Sequence, residues 1–252
     1  MSERCQTVPK GAAIVEDDDA YARSLLIHED AHMLVFDKPA GLAVQGGSGV
    51  KLSLEDLLAA FAKSNGKRPR LVHRLDRETS GVIVAARTKP AAAFLSEAFA
   101  RREVRKSYLA IVCGGAPEPQ VGEIALALKK SSRLGLDIME ISTGGQAALT
   151  RYRTLAARPQ AALLELSPET GRMHQLRAHL AAIGRPIAGD GKYGGLFSIG
   201  EVDIPTLLLH AGALDLPHPD GGRRRFEAPP PPVFLGAVRS LGLETTPPGE
   251  TC

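Results

Sequence analysis

The residues best equipped for chemistry lie in one run, Leu71-Val72-His73-Arg74-Leu75-Asp76-Arg77-Glu78-Thr79-Ser80-Gly81. It sets Asp76 between Arg74 and Arg77 and leads directly into the apolar stretch Val82-Ile83-Val84-Ala85-Ala86. Neighbouring guanidinium groups favour the charged form of a carboxylic acid. An acid so held is not a general acid at neutral pH, but it can be a nucleophile. The ordinary alternative is an ion pair at the start of a strand, worth little to stability or function. Glu78 offers a second acid, so a glycosidase-like pair of carboxylates is a further reading.

A second dense patch is Glu169-Thr170-Gly171-Arg172-Met173-His174-Gln175-Leu176-Arg177-Ala178-His179-Leu180. On a helix, His174, Arg177 and Leu180 would share a face. His174 and His179 are five apart, unlike the i, i+4 pair of a helical zinc site, and no Glu lies between them. No metal is expected here. An arginine from this patch could pair with a carboxylate elsewhere, and Asp76 is the obvious one.

The elements that must position these groups read as α+β, a mostly antiparallel mixed sheet flanked by helices and loops. Strands are predicted at Ser24–Asp30, His32–Pro39, Ser107–Val112, Val121–Leu128, Asp137–Ile141, Ala147–Leu155 and Ala161–Leu166. Apolar spacing predicts helices over Ser53–Ala62, Pro90–Arg102 and Arg172–Ile183, the last stopped by Gly184 and Pro186. Met1–Arg23, polar and acidic, is predicted to be a poorly ordered arm, with one catalytic domain over 24–238 and a tail over 239–252. The loop Ala40–Gly49 is glycine-rich, but it lacks the Gly-Lys-Ser/Thr of a P-loop and the spacing of a dinucleotide turn.

The formal net charge of the 252 residues is +3, unevenly spread. From Phe61 to Ala110 there are twelve Lys or Arg against four Asp or Glu, which suggests a polyanionic partner. A merely solvated charged face is the alternative. Cys5, Cys113 and Cys252 are odd in number and far apart, as suits a reducing compartment. No stretch reaches the roughly 20 apolar residues of a membrane span. A cytoplasmic, monomeric protein without a membrane partner is expected.

His73-Arg74-Leu75-Asp76 with Thr79-Ser80-Gly81 resembles the signature of the RluA family of RNA pseudouridine synthases. Asp37-Lys38-Pro39-Ala40-Gly41, Lys106-Ser107-Tyr108 and Thr170–Arg177 resemble its other motifs. Pro186-Ile187, Gly189-Asp190, Tyr193 and Leu208-Leu209-His210-Ala211 look like its closing elements. The order is the family's, over residues 24–236. The loop at Val44–Gly49 looks most like the RluC subgroup, with Gln45 where a His is usual. That subgroup usually carries an N-terminal S4-type RNA-binding domain, which about twenty polar residues cannot form. Either a domain is missing or the catalytic domain selects RNA alone.

The resemblance implies the pseudouridine synthase catalytic fold and an isomerase that needs no cofactor. Asp76 matches the nucleophile, attacking C1′ or C6 of uridine. Arg177 matches the basic residue that pairs with that carboxylate and keeps it charged and oriented, and Tyr108 the tyrosine that stacks on the uracil and is a candidate to take the C5 proton. Leu209 is expected in the uracil pocket. Arg74 matches the arginine that fills the place of a flipped-out base. Further RNA contacts are expected from His73, Arg68, Arg70, Arg101, Arg105, Lys106, Arg172 and His174. The expected partner is 23S ribosomal RNA, with transfer RNA as the nearest variant. A catalytically silent RNA-binding or ribosome-assembly factor on the same fold is the alternative of another class.

Overall fold

A computed structural model describes residues 16–47, 49–133 and 135–245. The chain runs α1 (Glu16–Ser24), β1 (Leu26–Glu29), β2 (Met33–Lys38), α2 (Leu54–Leu57) with a 3-10 turn (Leu58–Phe61), β3 (Arg70–Leu71), β4 (Ser80–Ala86) and α3 (Lys89–Ala100). It continues through β5 (Arg105–Cys113), β6 (Val121–Ile124), β7 (Leu128–Arg133), β8 (Leu136–Ile141), β9 (Thr150–Arg158), β10 (Ala161–Pro168) and α4 (Gln175–Ala182). The last elements are β11 (Ser198–Ile199), β12 (Val202–Asp203), β13 (Leu209–Pro217), β14 (Arg223–Glu227) and α5 (Pro232–Ser240).

Ten strands form one sheet in the order β1-β2-β4-β13-β5-β10-β9-β6, with β14 added on β13 and β3 on β4. Only the β4–β13 pairing is parallel, so the sheet is mixed and mostly antiparallel, as expected. Side chains alternate across a strand, so each strand serves two cores. Leu34 and Phe36 of β2 join Ile83 and Ala85 of β4 on the face covered by α2, while Met33, Val35, Val82 and Val84 pack beneath Leu95 and Ala98 of α3. Farther along, Ala110 and Val112 of β5 lie under α4, and Ile111 and Cys113 under α5. Removing a buried Leu such as Leu95 from such a layer costs about 2–5 kcal/mol.

Two glycines bring the site's strands together. At Gly81, φ is +111° and an added Cβ would run into the Ala211 carbonyl, so only glycine lets β13 lie beside β4 here. At Gly189, φ is +75° and a Cβ would strike Thr206.

Several predicted boundaries are corrected. Glu16–Ser24 is a helix rather than an arm: Ala22 is fully buried in the core beside α2, and Arg23 Nη2 donates to the Ala60 carbonyl at 3.2 Å. At the other end α5 runs to Ser240 and Leu243 is fully buried, so the domain passes the predicted boundary at 238. Residues 1–15 and 246–252 of the predicted arm and tail lie outside the described residues. The Ser53–Ala62 helix is one α-turn followed by a 3-10 turn, capped by Ser53, which forms a reciprocal capping box with Asp56. The predicted strand Val121–Leu128 divides between β6 and β7.

Candidate active site

The site forms where the β3–β4 loop, β5, the β10–α4 loop and β13 meet. They enclose a cleft of about 470 Å³ lined by Arg74, Asp76, Tyr108, His174, Arg177 and Leu209 among others.

The β3–β4 loop is fixed before chemistry is considered. The His73 Nε2 accepts the Val84 N–H at 3.0 Å, continuing the β3–β4 ladder by a side chain, and its ring stacks on Phe99 at 4.3 Å. Burial, helped by the charge of Lys106, pushes its pKa down to about 3. His73 lines the cleft as a neutral ring engaged with β4 and α3, so any contact it makes with RNA is not that of a cation. On the opposite side Lys38, fully buried, donates from Nζ to the carbonyls of Pro39, Leu42 and Arg77 at 2.8–3.0 Å. Burial lowers its pKa to about 8. It thereby ties the Asp37–Gly41 motif to the residue after Asp76.

Asp76 is not flanked as its own run suggests. Arg77 turns away, donating from Nε to the Gly41 carbonyl at 2.9 Å, with Glu78 3.6 Å away, and Arg74 is exposed on the cleft wall. The basic groups beside Asp76 come from the start of α4. Arg177 Nη1 lies 3.4 Å from Asp76 Oδ2, and His174 Nε2 lies 3.9 Å from the same oxygen. Among the described residues Oδ1 has no hydrogen-bond partner.

Arg177 is aimed by a residue whose role the sequence did not reveal. Asp190, its side chain fully buried, accepts from Arg177 Nε and Nη2, both at 2.7 Å. Such bidentate pairs are geometrically specific. Burial opposes the Arg177 charge, and Asp190 and Asp76 more than offset it, so its pKa is raised.

The α4 helix begins at Gln175, three residues later than predicted. Gln175 Oε1 accepts from Thr170 Oγ1 at 2.6 Å and from the Arg172 N–H at 3.1 Å, and its amide group donates to Leu149 and Thr150. These bonds hold 170–174 in a non-helical loop. His174, at the N-cap, has φ +49°. It and Arg102, at φ +60°, are the described non-glycine residues with positive φ, and both line the cleft. A left-handed side-chain residue is costly and tends to mark functional sites.

Tyr108 of β5 sits half-buried on the cleft wall, with Leu209 buried on β13. Burial, then the Asp76 charge, raises the Tyr108 pKa. Lys106, two residues before it on β5, lines the cleft with its pKa lowered by burial, and Arg172 lies close by. Arg68, Arg70, Arg101 and Arg105 are exposed and stand off the cleft lining; Arg101 pairs with Glu97 at 2.7 Å, and Arg105 lies 4.0 Å from Asp215. Among the described residues no group of three His, Cys, Asp or Glu is placed to hold a metal.

A buried arginine bridging two carboxylates in a basic cleft, on a mixed sheet with one parallel pair, defines a class. Residues 32–182 match the family described as RNA pseudouridylate synthase. The chain is 37% identical over 211 residues to ribosomal large subunit pseudouridine synthase C of Escherichia coli K12, covering 81% of this chain and 66% of that protein. It is 38% identical to the mitochondrial RNA pseudouridine synthase 4 of Arabidopsis thaliana, covering 71% of this chain but 42% of the relative. An uncharacterized RNA pseudouridine synthase of Zymomonas mobilis is 40% identical, covering 81% of this chain and 93% of that protein. The first two relatives thus extend well beyond the matched region. The solved structure of human RNA pseudouridylate synthase domain containing 4 superposes with a TM-score of 0.78 at 30% identity, covering 91% and 98% of the two chains. This chain belongs to the RNA pseudouridylate synthase family.

Proposed function

We propose that this chain isomerises uridine to pseudouridine in structured RNA, with Asp76 as the nucleophile. The observation that carries the proposal is the asymmetry of the Asp76 carboxylate. Its Oδ2 faces Arg177, itself clamped by Asp190, while Oδ1 has no partner among the described residues and belongs to a residue that lines the cleft. A positioned, charged and partly desolvated oxygen is what attack on C1′ or C6 requires.

The reaction is internally balanced. The N1–C1′ bond breaks, the uracil turns, C5 bonds to C1′, the C5 proton leaves and N1 gains one. Attack at either carbon turns Asp76 into an ester and removes its charge. After attack at C6 the ester lasts until the C5 proton leaves and elimination frees Asp76, and while it lasts one of the two causes that keep Tyr108 protonated is cancelled. After attack at C1′ it breaks earlier, when C5 displaces the carboxylate. Tyr108 serves as stacking face and, once its own proton has passed to N1 of the detached uracil, as acceptor of the C5 proton. In this reading Arg74, exposed on the cleft wall, fills the stack vacated by a flipped uridine, whose extrusion costs a few kcal/mol.

The substrate we propose is large-subunit ribosomal RNA, on the strength of the Escherichia coli relative's name and the basic cleft. The test uses uridine-5-tritiated 23S and transfer RNA transcripts without added cofactor. Wild-type protein should release tritium, preferentially from 23S RNA, and Asp76→Asn should release none while still binding. Full turnover by Asp76→Asn would remove the nucleophile assignment.

A further inference from the structure

His174 is more constrained than an RNA-contacting histidine needs to be. It takes a left-handed backbone conformation at the head of α4, its side chain is 11% exposed, and its ring meets Tyr193 edge-on at 5.7 Å. Its Nδ1 lies 2.9 Å from Tyr193 Oη. That oxygen already accepts the Met139 N–H of β8 at 2.8 Å. Among the described residues, His174 Nδ1 is the acceptor within reach of the Tyr193 hydroxyl proton. If the phenol donates to Nδ1, a neutral imidazole carries its own proton on Nε2. Nε2 is the atom 3.9 Å from Asp76 Oδ2, and a shift of about 1 Å brings it into hydrogen-bond range.

We propose that His174 is a positioning residue: Tyr193 fixes it as the Nε2–H tautomer, and it serves with Arg177 as a second donor to Asp76 Oδ2. This rests on the nucleophilic role of Asp76 given above. Burial lowers the imidazole pKa and favours the neutral ring, against the pull of Asp76 and Asp190 and with the help of Arg177 and Lys192. A neutral donor suits the task, because it orients the carboxylate without neutralising it as a second full cation would. With both donors on Oδ2, the attacking lone pairs of Oδ1 are aimed and remain unshared. The opposite tautomer would set a ring lone pair against the carboxylate and repel it. The chain Met139 N–H, Tyr193, His174, Asp76 also ties the β7–β8 hairpin to the nucleophile.

Two variants isolate the effect. Tyr193→Phe keeps the edge-on ring and the cation–π contact with Arg177 (5.2 Å) and removes only the hydroxyl. His174→Asn tolerates a left-handed backbone and withdraws the ring. Both should lower single-turnover tritium release at saturating RNA at least ten-fold, with RNA affinity changed less than two-fold. Weaker affinity with unchanged turnover would make His174 an RNA contact and overturn the proposal. A readout independent of activity is the nitrogen-15 spectrum of labelled histidine. His174 should show protonated Nε2 and acceptor Nδ1 in the wild type, and lose that preference in Tyr193→Phe. A protonated Nδ1 in the wild type would overturn the proposal even if no RNA tried were a substrate.

Discussion

At the scale of single residues, two acids share one arginine and divide the labour. Asp190 is fully buried and bidentate to Arg177, whereas the Asp76 side chain is 21% exposed and 3.4 Å away. Breaking a buried ion pair leaves an uncompensated charge and costs about 3–5 kcal/mol. Asp190→Ala should therefore lower the melting temperature by roughly 6–20 °C in a chain of this size and release Arg177 from its aim. Asp76→Ala should abolish activity with a change in stability of less than about 1 kcal/mol. Melting curves of the two variants side by side check this; equal destabilisation would refute the division. Tyr108 makes a separate prediction. Its phenol is held protonated in the free protein by burial and by the Asp76 charge, so its service as acceptor requires that it first give up its own proton to the detached uracil. Tyr108→Phe should bind RNA normally and keep the stacking face. Its release of C5 tritium should fall about 100-fold or more, within the usual range for a general base. Release at the wild-type rate would assign the proton to another acceptor.

At the scale of elements, His73 shows how a side chain can finish a strand. Its folded pKa, about 3, lies below the unfolded value of about 6.5. Between these values the unfolded chain binds the extra proton, so this contribution to stability is fully present above about pH 6.5 and fades as pH falls toward 3. From pH 7 to 5 the loss is at most about 2 kcal/mol, and roughly 1 once partial exposure is allowed for. His179 and His210, also lowered by burial, add losses of the same sign. The effect of His73 is therefore read as a difference: denaturant melts of His73→Gln should lose about 1 kcal/mol less than wild type over that range. Equal losses would mean that His73 is not held neutral. The same loop marks what a sequence can and cannot disclose. Asp76 and its link to Arg177 were legible, because one sits in a dense local motif and the other in a second, and each resembled a known pattern. Asp190 was not: a single acid after glycine reads as a turn, and only the fold buries it against an arginine thirteen residues earlier. The α4 boundary was hidden because Gln175 satisfies the backbone and hydroxyl groups of 170–172 through its side chain. No strand was predicted for β13, which is buried on both faces through much of its length and so lacks the alternation that betrays a half-exposed strand.

At the scale of the whole molecule, charge is arranged in two tiers. Within the cleft, Lys106, Arg102 and Arg172 surround the reacting groups, and the surface cations lie beyond it. Those surface cations are not equivalent. Arg101 and Arg105 already have acidic neighbours in Glu97 and Asp215, while Arg68 and Arg70 are exposed and take part in no ion pair among the described residues. An arginine with a protein partner must give up that partner to bind phosphate; one without it gains the whole contact. Arg68 and Arg70, at the entry to β3, should therefore contribute more to RNA affinity than Arg101 and Arg105, although all four are remote from the reacting groups. Each phosphate contact contributes roughly 0.7–0.9 to the slope of log affinity against log salt. Arg68→Ala with Arg70→Ala should flatten that slope by about 1.4–1.8 and weaken binding most at low salt, where counterion release contributes most. Turnover at saturating RNA should stay at the wild-type rate, because neither residue lines the cleft. Arg101→Ala with Arg105→Ala should flatten the slope by less than half as much. Filter-binding titrations across a salt series, with single-turnover rates on the same preparations, decide the matter. An unchanged slope in the first pair would remove Arg68 and Arg70 from the RNA-facing surface, and a fall in saturated turnover would show that they support the β3–β4 loop instead.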